Sequence, residues 1–316
     1  MKKLFVLALS LVLMLSCLTV ASADETYTVG IVQLVQHPAL DAATQGFRDA
    51  LTAKLGDKVI FDEQNASNDI PACATIANGF VAGGVDLIMA NATPALQAAV
   101  GATADIPILG TSISHYGTAL DMTDNWQGFT GINVSGTSDL APLDGQAAMI
   151  KELFPEAKTV ALLFCSAEAN SIYQVGVIKE ELAKLGLETK EFAFTDSNDV
   201  AALTEQATEC DVIYIPTDNT AASYTETIAN VVLPAGKPVV AGEEGICAGC
   251  GVATLTINYY DIGFKTGEMA FEILVNGADV STMNIEFAPQ FTKKYNAANC
   301  QELGIAFPEG YEAIAQ

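Results

Sequence analysis

Positive charge is scarce in this sequence. Its 316 residues carry 14 Lys and Arg against 38 Asp and Glu, a formal net charge of -24. Arg48 is the single arginine, and no Lys or Arg lies between Lys58 and Lys151. Binding a phosphate backbone requires a basic surface, so nucleic acid is excluded as a partner. Histidine is almost missing as well, with only His37 and His115, too few to fill out a histidine-rich metal site. There is no G-x-S-x-G nucleophile setting, no G-x-G-x-x-G after the first apolar run and no Walker lysine. Serine-hydrolase and nucleotide-binding readings therefore lack support, and neither a cofactor nor a metal is expected. Disorder is excluded by composition, since hydrophobic residues make up 50% and charged residues 16%.

Long apolar runs are also rare. Only Leu4–Val20 is long and uncharged. Lys2 and Lys3 precede it and Ala21-Ser22-Ala23 follows, the pattern of a signal peptide over residues 1–23 with cleavage after Ala23. Lipid attachment at Cys17 is the alternative, but Met14-Leu15-Ser16 makes a poor lipobox. Either route exports the chain to the periplasm or another extracytoplasmic space, soluble once cleaved. No later segment reaches transmembrane length.

Six cysteines remain after the leader: Cys73, Cys165, Cys210, Cys247, Cys250 and Cys300. That is too sparse for a disulfide scaffold in a chain of this size. Cys165 and Cys210 sit at the ends of apolar runs and read as buried thiols. Cys247-x-x-Cys250 forms a local disulfide or stays as free thiols. Thioredoxin-like chemistry expects this motif at a helix N-terminus after an early strand, whereas here it lies in a Gly-rich loop. An exported thiol oxidoreductase is thus a minor reading.

What the sequence does contain is a duplication. Ser67-Asn68-Asp69-Ile70 recurs as Ser197-Asn198-Asp199-Val200, and Asp86-Leu87-Ile88-Met89-Ala90 as Asp211-Val212-Ile213-Tyr214-Ile215. Each half alternates short continuous apolar runs with segments of helical spacing. The runs are Val29–Leu34, Val59–Asp62, Leu87–Ala90 and Ile108–Gly110, then Val160–Phe164, Thr189–Phe194, Val212–Pro216 and Val239–Gly242. Continuous apolarity predicts strands of a parallel sheet buried on both faces. In Ala43–Leu55, Phe47, Ala50, Leu51 and Leu55 share one helical face; in Tyr173–Leu185, Val177, Ile178, Leu182 and Leu185 do. The Ser-Asn-Asp repeats are N-cap signals, and Gly186 is a C-cap candidate.

The expected fold class is therefore α/β, with two doubly wound parallel-sheet domains joined by a three-strand hinge. Gly131–Ser135, Thr254–Asn258 and Ile285–Pro289 are the expected crossings, and a helix over Tyr259–Asn276 returns to the first domain. The lobes are then residues 24–134 plus 257–287, and residues 135–256 plus 288–316.

Ligands of open α/β sheets bind beyond the carboxyl ends of the strands. The loops at those ends are polar: Gln36, His37, Thr93, Pro94, Ala95, Thr111 and Ser112 in the first half, and Ser166, Glu168, Asn170, Ser171, Asp218, Asn219, Glu243 and Glu244 in the second. Thr93-Pro94-Ala95 reads as a helix start whose free N–H groups suit a carboxylate. Asp218 and Glu243-Glu244 suit an ammonium, although Asp218 is equally a cap for the helix after it. An amino acid zwitterion uses both ends. Of the aromatics near these loops, Tyr116, Tyr173 and Tyr224 are candidates to stack on a ligand, Phe164 and Tyr214 belong to predicted strands and the core, and Trp126 lies in a turn-rich segment.

Several blocks, in order, resemble one family of extracytoplasmic solute-binding proteins of ABC transporters, the family with tryptophan- and phenylalanine-binding members. They are Gln36-His37-Pro38-Ala39-Leu40-Asp41 with Gly46-Phe47, Ala92-Thr93-Pro94-Ala95, Thr130-Gly131, Ser166–Ser171, Pro216–Thr220, Ala241–Gly245 and Asn258–Gly263. The resemblance spans nearly the whole chain after the leader. It implies a type I periplasmic-binding-protein fold, two lobes closing on a small solute, and delivery to a membrane permease served by a cytoplasmic ATPase. It implies a non-enzymatic monomer that binds an amino acid, aromatic or large and apolar. A sensor domain presenting ligand to a membrane receptor is the alternative. Ser114-His115-Tyr116 departs from the Asp-Pro pair expected of the family there, and Cys247–Cys250 from a cysteine-free stretch.

Overall fold

The computed structural model describes residues 26–122, 128–307 and 309–315. The leader, Cys17 and Trp126 lie outside the described residues. In chain order the first part contains β1 (Tyr27–Gln33), α1 (Pro38–Leu55), β2 (Val59–Asn65), α2 (Ile70–Gly83), β3 (Leu87–Asn91), α3 (Thr93–Ala102), β4 (Ile108–Ile113), α4 (Tyr116–Ala119) and β5 (Val134–Ser138). The second contains α5 (Leu143–Leu153), β6 (Thr159–Cys165), α6 (Ala169–Lys184), β7 (Glu188–Phe194), α7 (Val200–Ala207), β8 (Val212–Ile215), α8 (Asn219–Ser223), α9 (Thr225–Val232), β9 (Val239–Ala241), α10 (Glu244–Cys250) and β10 (Ala253–Thr256). The chain then runs through α11 (Tyr259–Leu274), β11 (Glu286–Phe287), β12 (Thr292–Tyr295), α12 (Ala297–Glu302) and β13 (Glu312–Ala313).

These elements build two sheets, ordered β11-β5-β4-β3-β1-β2 and β13-β12-β10-β9-β8-β6-β7. All described pairings are parallel except β10 with β12. The fold is thus α/β with two doubly wound sheets, each flanked by helices. Inner strands such as β3, β4 and β8 are buried throughout, which explains their unbroken apolar runs. The outer strands β2 and β7 are largely exposed, so burial on both faces holds only for the interior of each sheet.

The repeated residues do equivalent work in part. Asp86 accepts the amide of Thr28 at the start of β1 (2.7 Å), and Asp211 accepts those of Lys158 and Thr159 at the start of β6 (2.9 Å each). Asp69 caps α2 through the amide of Ala72, whereas Asp199 sits in helical backbone and makes no side-chain cap.

The chain crosses between lobes after β5, after β10 and after β11. The first crossing follows Ser138 rather than lying at Gly131–Ser135, because β5 is hydrogen-bonded along β4 and stays in the first sheet. Helix α11 returns to pack on α1. The contact is close enough that a Cβ on Gly46 would meet the Tyr260 carbonyl and one on Gly263 the Ala43 carbonyl. Met269, Ala270 and Ile273 of α11 complete the core beneath β1, β3 and β4 with Val29, Ile31, Leu87, Met89 and Leu109.

Candidate functional site

The carboxyl ends of both sheets face one cleft, and the lobes touch across it. His37 Nε2 lies 3.3 Å from Asn219 Oδ1, Asn68 donates to Thr220 (3.3 Å), and Gln174 donates to Ser114 Oγ (3.1 Å). The rings of His115 and Tyr173 stack at 4.2 Å. Because Asn219 Nδ2 donates to Glu168 (2.6 Å), its oxygen faces His37. His37 is therefore the Nε2–H tautomer, and burial holds its pKa below the usual value.

Four carboxylates are buried here, Asp139, Glu168, Asp218 and Glu243, each at most 3% exposed. Three are occupied by the protein itself. Glu168 accepts from the amides of Asn219 (3.2 Å) and Thr220 (2.9 Å) and from the side chains of Asn170, Asn219 and Thr220. Asp218 caps α8 through Ala221 N (2.8 Å) and also accepts from Cys165 N (2.6 Å) and Ser171 Oγ (2.7 Å). Burial raises the Asp218 pKa, and the charge of Glu168 adds to the rise. Glu243 caps α10 through Gly245 N (2.6 Å) and Ile246 N; burial pushes it up to about 7. Asp139, on the first crossing, is different. Its Oδ2 accepts from Tyr259 (3.0 Å) and the Ser114 hydroxyl also acts on the carboxyl, while Oδ1 makes no hydrogen bond. Burial raises its pKa to about 6.

The other buried polar atoms without a partner are informative, since such atoms are costly to leave unpaired. Among the described residues they include His37 Nδ1, Thr93 Oγ1, Ser112 Oγ and Asn170 Oδ1, all near the carboxyl ends of strands or in the first residues of the helices that follow them. Two neighbouring segments also hold non-glycine residues in left-handed backbone, Ala92 just past β3 at φ 88 and Ser112 at an irregularity near the end of β4 at φ 57. Such strain persists where surrounding structure enforces it, most often at binding sites. It also explains why Thr93 is not the cap: Ala92 occupies that position, Thr93 begins α3, and its hydroxyl makes no cap bond.

The remaining sequence candidates divide. Pro94 and Ala95 are buried in the first turn of α3, and Thr111 bonds Thr137 (3.1 Å) inside the first sheet. Ser166 Oγ donates to the Phe194 carbonyl (3.1 Å) at the edge of the second sheet, and Ser171 serves Asp218. Gln36 is exposed, and Glu244 pairs with Lys294 (2.6 Å). Tyr116 is not available to stack on a ligand. It is fully buried, with its hydroxyl donating to the carbonyls of Gly110 (2.9 Å) and Thr137 (3.1 Å). Phe164 and Tyr214 are core, and Tyr224 packs against the core of the second lobe. Sequence reasoning missed Asp139, Tyr259, Gln174 and Asn68. The strand-end rule, applied to the residue after β5, would have found Asp139.

A cavity of about 700 Å3 opens beside the hinge, lined by Pro38, Glu243, Glu244, Asn258, Tyr259 and residues of the third crossing, among others. The thiols do not form a redox centre. All six are free and buried, so Cys247 and Cys250 are not a disulfide. They lie one turn apart in α10, not in a loop, and Cys250 Sγ donates to the Ile246 carbonyl (3.3 Å). Burial raises both thiols far above the range in which thiolates form. No group of residues able to hold a metal occurs among the described residues.

Comparison with known proteins agrees with this geometry. The family described as ABC transporter substrate binding protein matches residues 28–316. A curated tyrosine-binding protein of Clostridioides difficile (strain R20291) is 37% identical over 253 residues, 78% of this chain and 72% of the relative. An ABC domain from Streptococcus pneumonia solved in complex with L-Trp is 32% identical and superposes with a TM-score of 0.86, covering 92% of this chain and all of that one. The ligand-free, open structure of a substrate-binding protein with adhesive properties from Clostridium difficile is 37% identical. It covers 92% of this chain and 99% of its own, with a TM-score of 0.69.

Proposed function

The chain belongs to the family of ABC transporter substrate-binding proteins, and from that premise we propose that it captures an aromatic amino acid in the interlobe cleft and delivers it to an importer. Capture works by hinge closure: the lobes rotate about the three crossings, and the closed form presents the loaded cleft to a membrane permease. The protein acts outside the cytoplasm as a monomer and performs no chemistry on its ligand. The leader over residues 1–23, cleaved after Ala23, carries it there.

The observation that carries this reading is the set of buried polar atoms left unpaired at the cleft: Thr93 Oγ1, Ser112 Oγ, Asn170 Oδ1, His37 Nδ1 and Asp139 Oδ1. They supply donors and acceptors to a small polar solute, and no Lys or Arg stands among them. A zwitterion fits such a site, because it brings its own cation and needs only neutral donors for its carboxylate. The relatives that bind tryptophan and tyrosine support an aromatic side chain. The superposition supports closure: the fit is better to the Trp-bound relative than to the open one, although the open one is closer in sequence.

The test is calorimetric titration of unfolded and refolded protein with a panel of amino acids; refolding removes carried-over ligand. Saturable binding of tyrosine, tryptophan or phenylalanine is expected. Binding of no amino acid by a folded protein would refute the reading.

A further inference from the structure

We infer that Asp139 holds the α-ammonium group of the bound amino acid, with Thr93 and Ser112 holding its carboxylate. This assignment rests on the amino-acid reading above and gives each end of the ligand its partner.

Of the four buried carboxylates, three are saturated by the protein's own donors. Asp218 and Glu243, the acids whose position suggests an ammonium site, spend both oxygens on backbone amides and, for Asp218, on a hydroxyl. Glu168 accepts five hydrogen bonds across its two oxygens. Only Asp139 keeps an oxygen without a donor, and it is 97% buried by its 3% exposure. Its second oxygen is fixed by the Tyr259 hydroxyl at 3.0 Å. A carboxylate so placed has no ion-pair partner among the described residues, and Lys294, which lines the hinge cavity, is paired with Glu244. A ligand cation supplies that partner, with a charge-assisted hydrogen bond in a dry site.

The opposite end follows from strand order. β5, β4 and β3 are neighbours in the first sheet. Asp139 follows β5, Ser112 lies near the end of β4 and Thr93 just beyond β3. Neighbouring strands are about 4.8 Å apart, so these three side chains span roughly 10 Å. A ligand ammonium and carboxylate about 3 Å apart, with a hydrogen bond of about 2.8 Å at each end, bridge that span. The left-handed backbone at Ala92 and Ser112 shapes the two segments, past β3 and at the irregular end of β4, that carry the hydroxyls.

The experiment is titration of wild-type, Asp139→Asn and Ser112→Ala proteins with L-tyrosine and with 3-(4-hydroxyphenyl)propionate, which lacks the ammonium. Wild type is expected to prefer tyrosine by about a hundredfold, the scale for a buried charged partner. Asp139→Asn should lose that preference to within a few fold, with propionate bound as before. Ser112→Ala should weaken both ligands alike. A preference kept by folded Asp139→Asn overturns the assignment and leaves the amino-acid reading standing. Wild type binding no amino acid overturns both. Should Asp139→Asn fail to fold, the wild-type comparison decides alone: propionate bound as tightly as tyrosine overturns the assignment.

Discussion

The imidazole of His115 lies flat on the phenol ring of Tyr173, with centroids 4.2 Å apart and planes 7° from parallel. His115 sits at the start of α4 in the first lobe and Tyr173 in the first turns of α6 in the second. The stack therefore exists only when the lobes are together. His115 Nδ1 accepts the Thr118 amide at 3.0 Å, which fixes the ring in its neutral form and in the plane that Tyr173 meets.

Tyr173→Ala removes this latch without touching the ligand atoms assigned above. An aromatic pair contributes about 0.5–1.5 kcal/mol, so the dissociation constant for the amino acid should rise about two- to tenfold. Small-angle scattering should show a larger open fraction at equal ligand concentration, with thermal stability of the free protein little changed. An unaltered affinity would remove the stack from the closure equilibrium.

Asp218→Ala is expected to act on stability. It strips partners from the amides of Cys165 and Ala221 and the hydroxyl of Ser171. Each buried orphan costs about 1–3 kcal/mol, so urea unfolding should show a loss of about 3 kcal/mol or more. In the fraction that folds, preference for an ammonium-bearing ligand should persist. Loss of that preference with wild-type stability would return Asp218 to the binding role.

The pH dependence of the free protein follows from Asp139, raised to about 6, and Glu243, raised to about 7. Both pKa values lie above those of the unfolded chain. Their contribution to stability is therefore fully present below about pH 4 and is lost as pH rises through 6 to 7. Free protein should melt higher at pH 5 than at pH 8. Ligand binding runs the other way, because an ammonium favours ionised Asp139, so tyrosine affinity should fall as pH drops through about 6. Glu243, Tyr259 and Tyr116 are the titrating neighbours of Asp139. The two tyrosines are raised above the working range and do not contribute. Affinity rising on acidification would contradict this sign.

The cysteines give a reactivity prediction. All six are buried, and desolvation raises their pKa values, Cys73 to about 11 and Cys165 to about 12. A thiol reagent at neutral pH should label none in the folded protein and all six after denaturation. Cys247→Ser should leave ligand titration unchanged. A rapidly reacting native thiol would reopen a redox role.

Much of the architecture was legible in the residues because its signals are local. Unbroken apolar runs marked the inner strands, and the repeated Asp86 and Asp211 segments marked two halves of one plan. The edge strands β2 and β7 were legible as strands but not as edges, since exposure depends on sheet order. The site was harder to read. A carboxylate at a strand end looks the same whether it caps a helix, as Asp218 and Glu243 do, or stands unpaired like Asp139. Only the list of donors around each distinguishes them, and those donors come from segments such as Cys165 and Ser171, about fifty residues away from Asp218. Thr93-Pro94 marks a helix start, in which Thr would ordinarily be the cap; the left-handed turn at Ala92 puts the cap one residue earlier and leaves the Thr93 hydroxyl without a cap bond.

The crossings also set an order of assembly. The first sheet receives its edge strand β11, and the core beneath β1, β3 and β4 its cover α11, only after strands β6 to β10 of the second lobe have been made. A nascent chain that stops short of residue 274 leaves Val29, Ile31, Leu87, Met89 and Leu109 without Met269, Ala270 and Ile273 against them. The earliest residues to emerge are thus among the last to be sealed. A chain threaded outward from its amino end stays uncommitted to its native form until nearly all of it has passed.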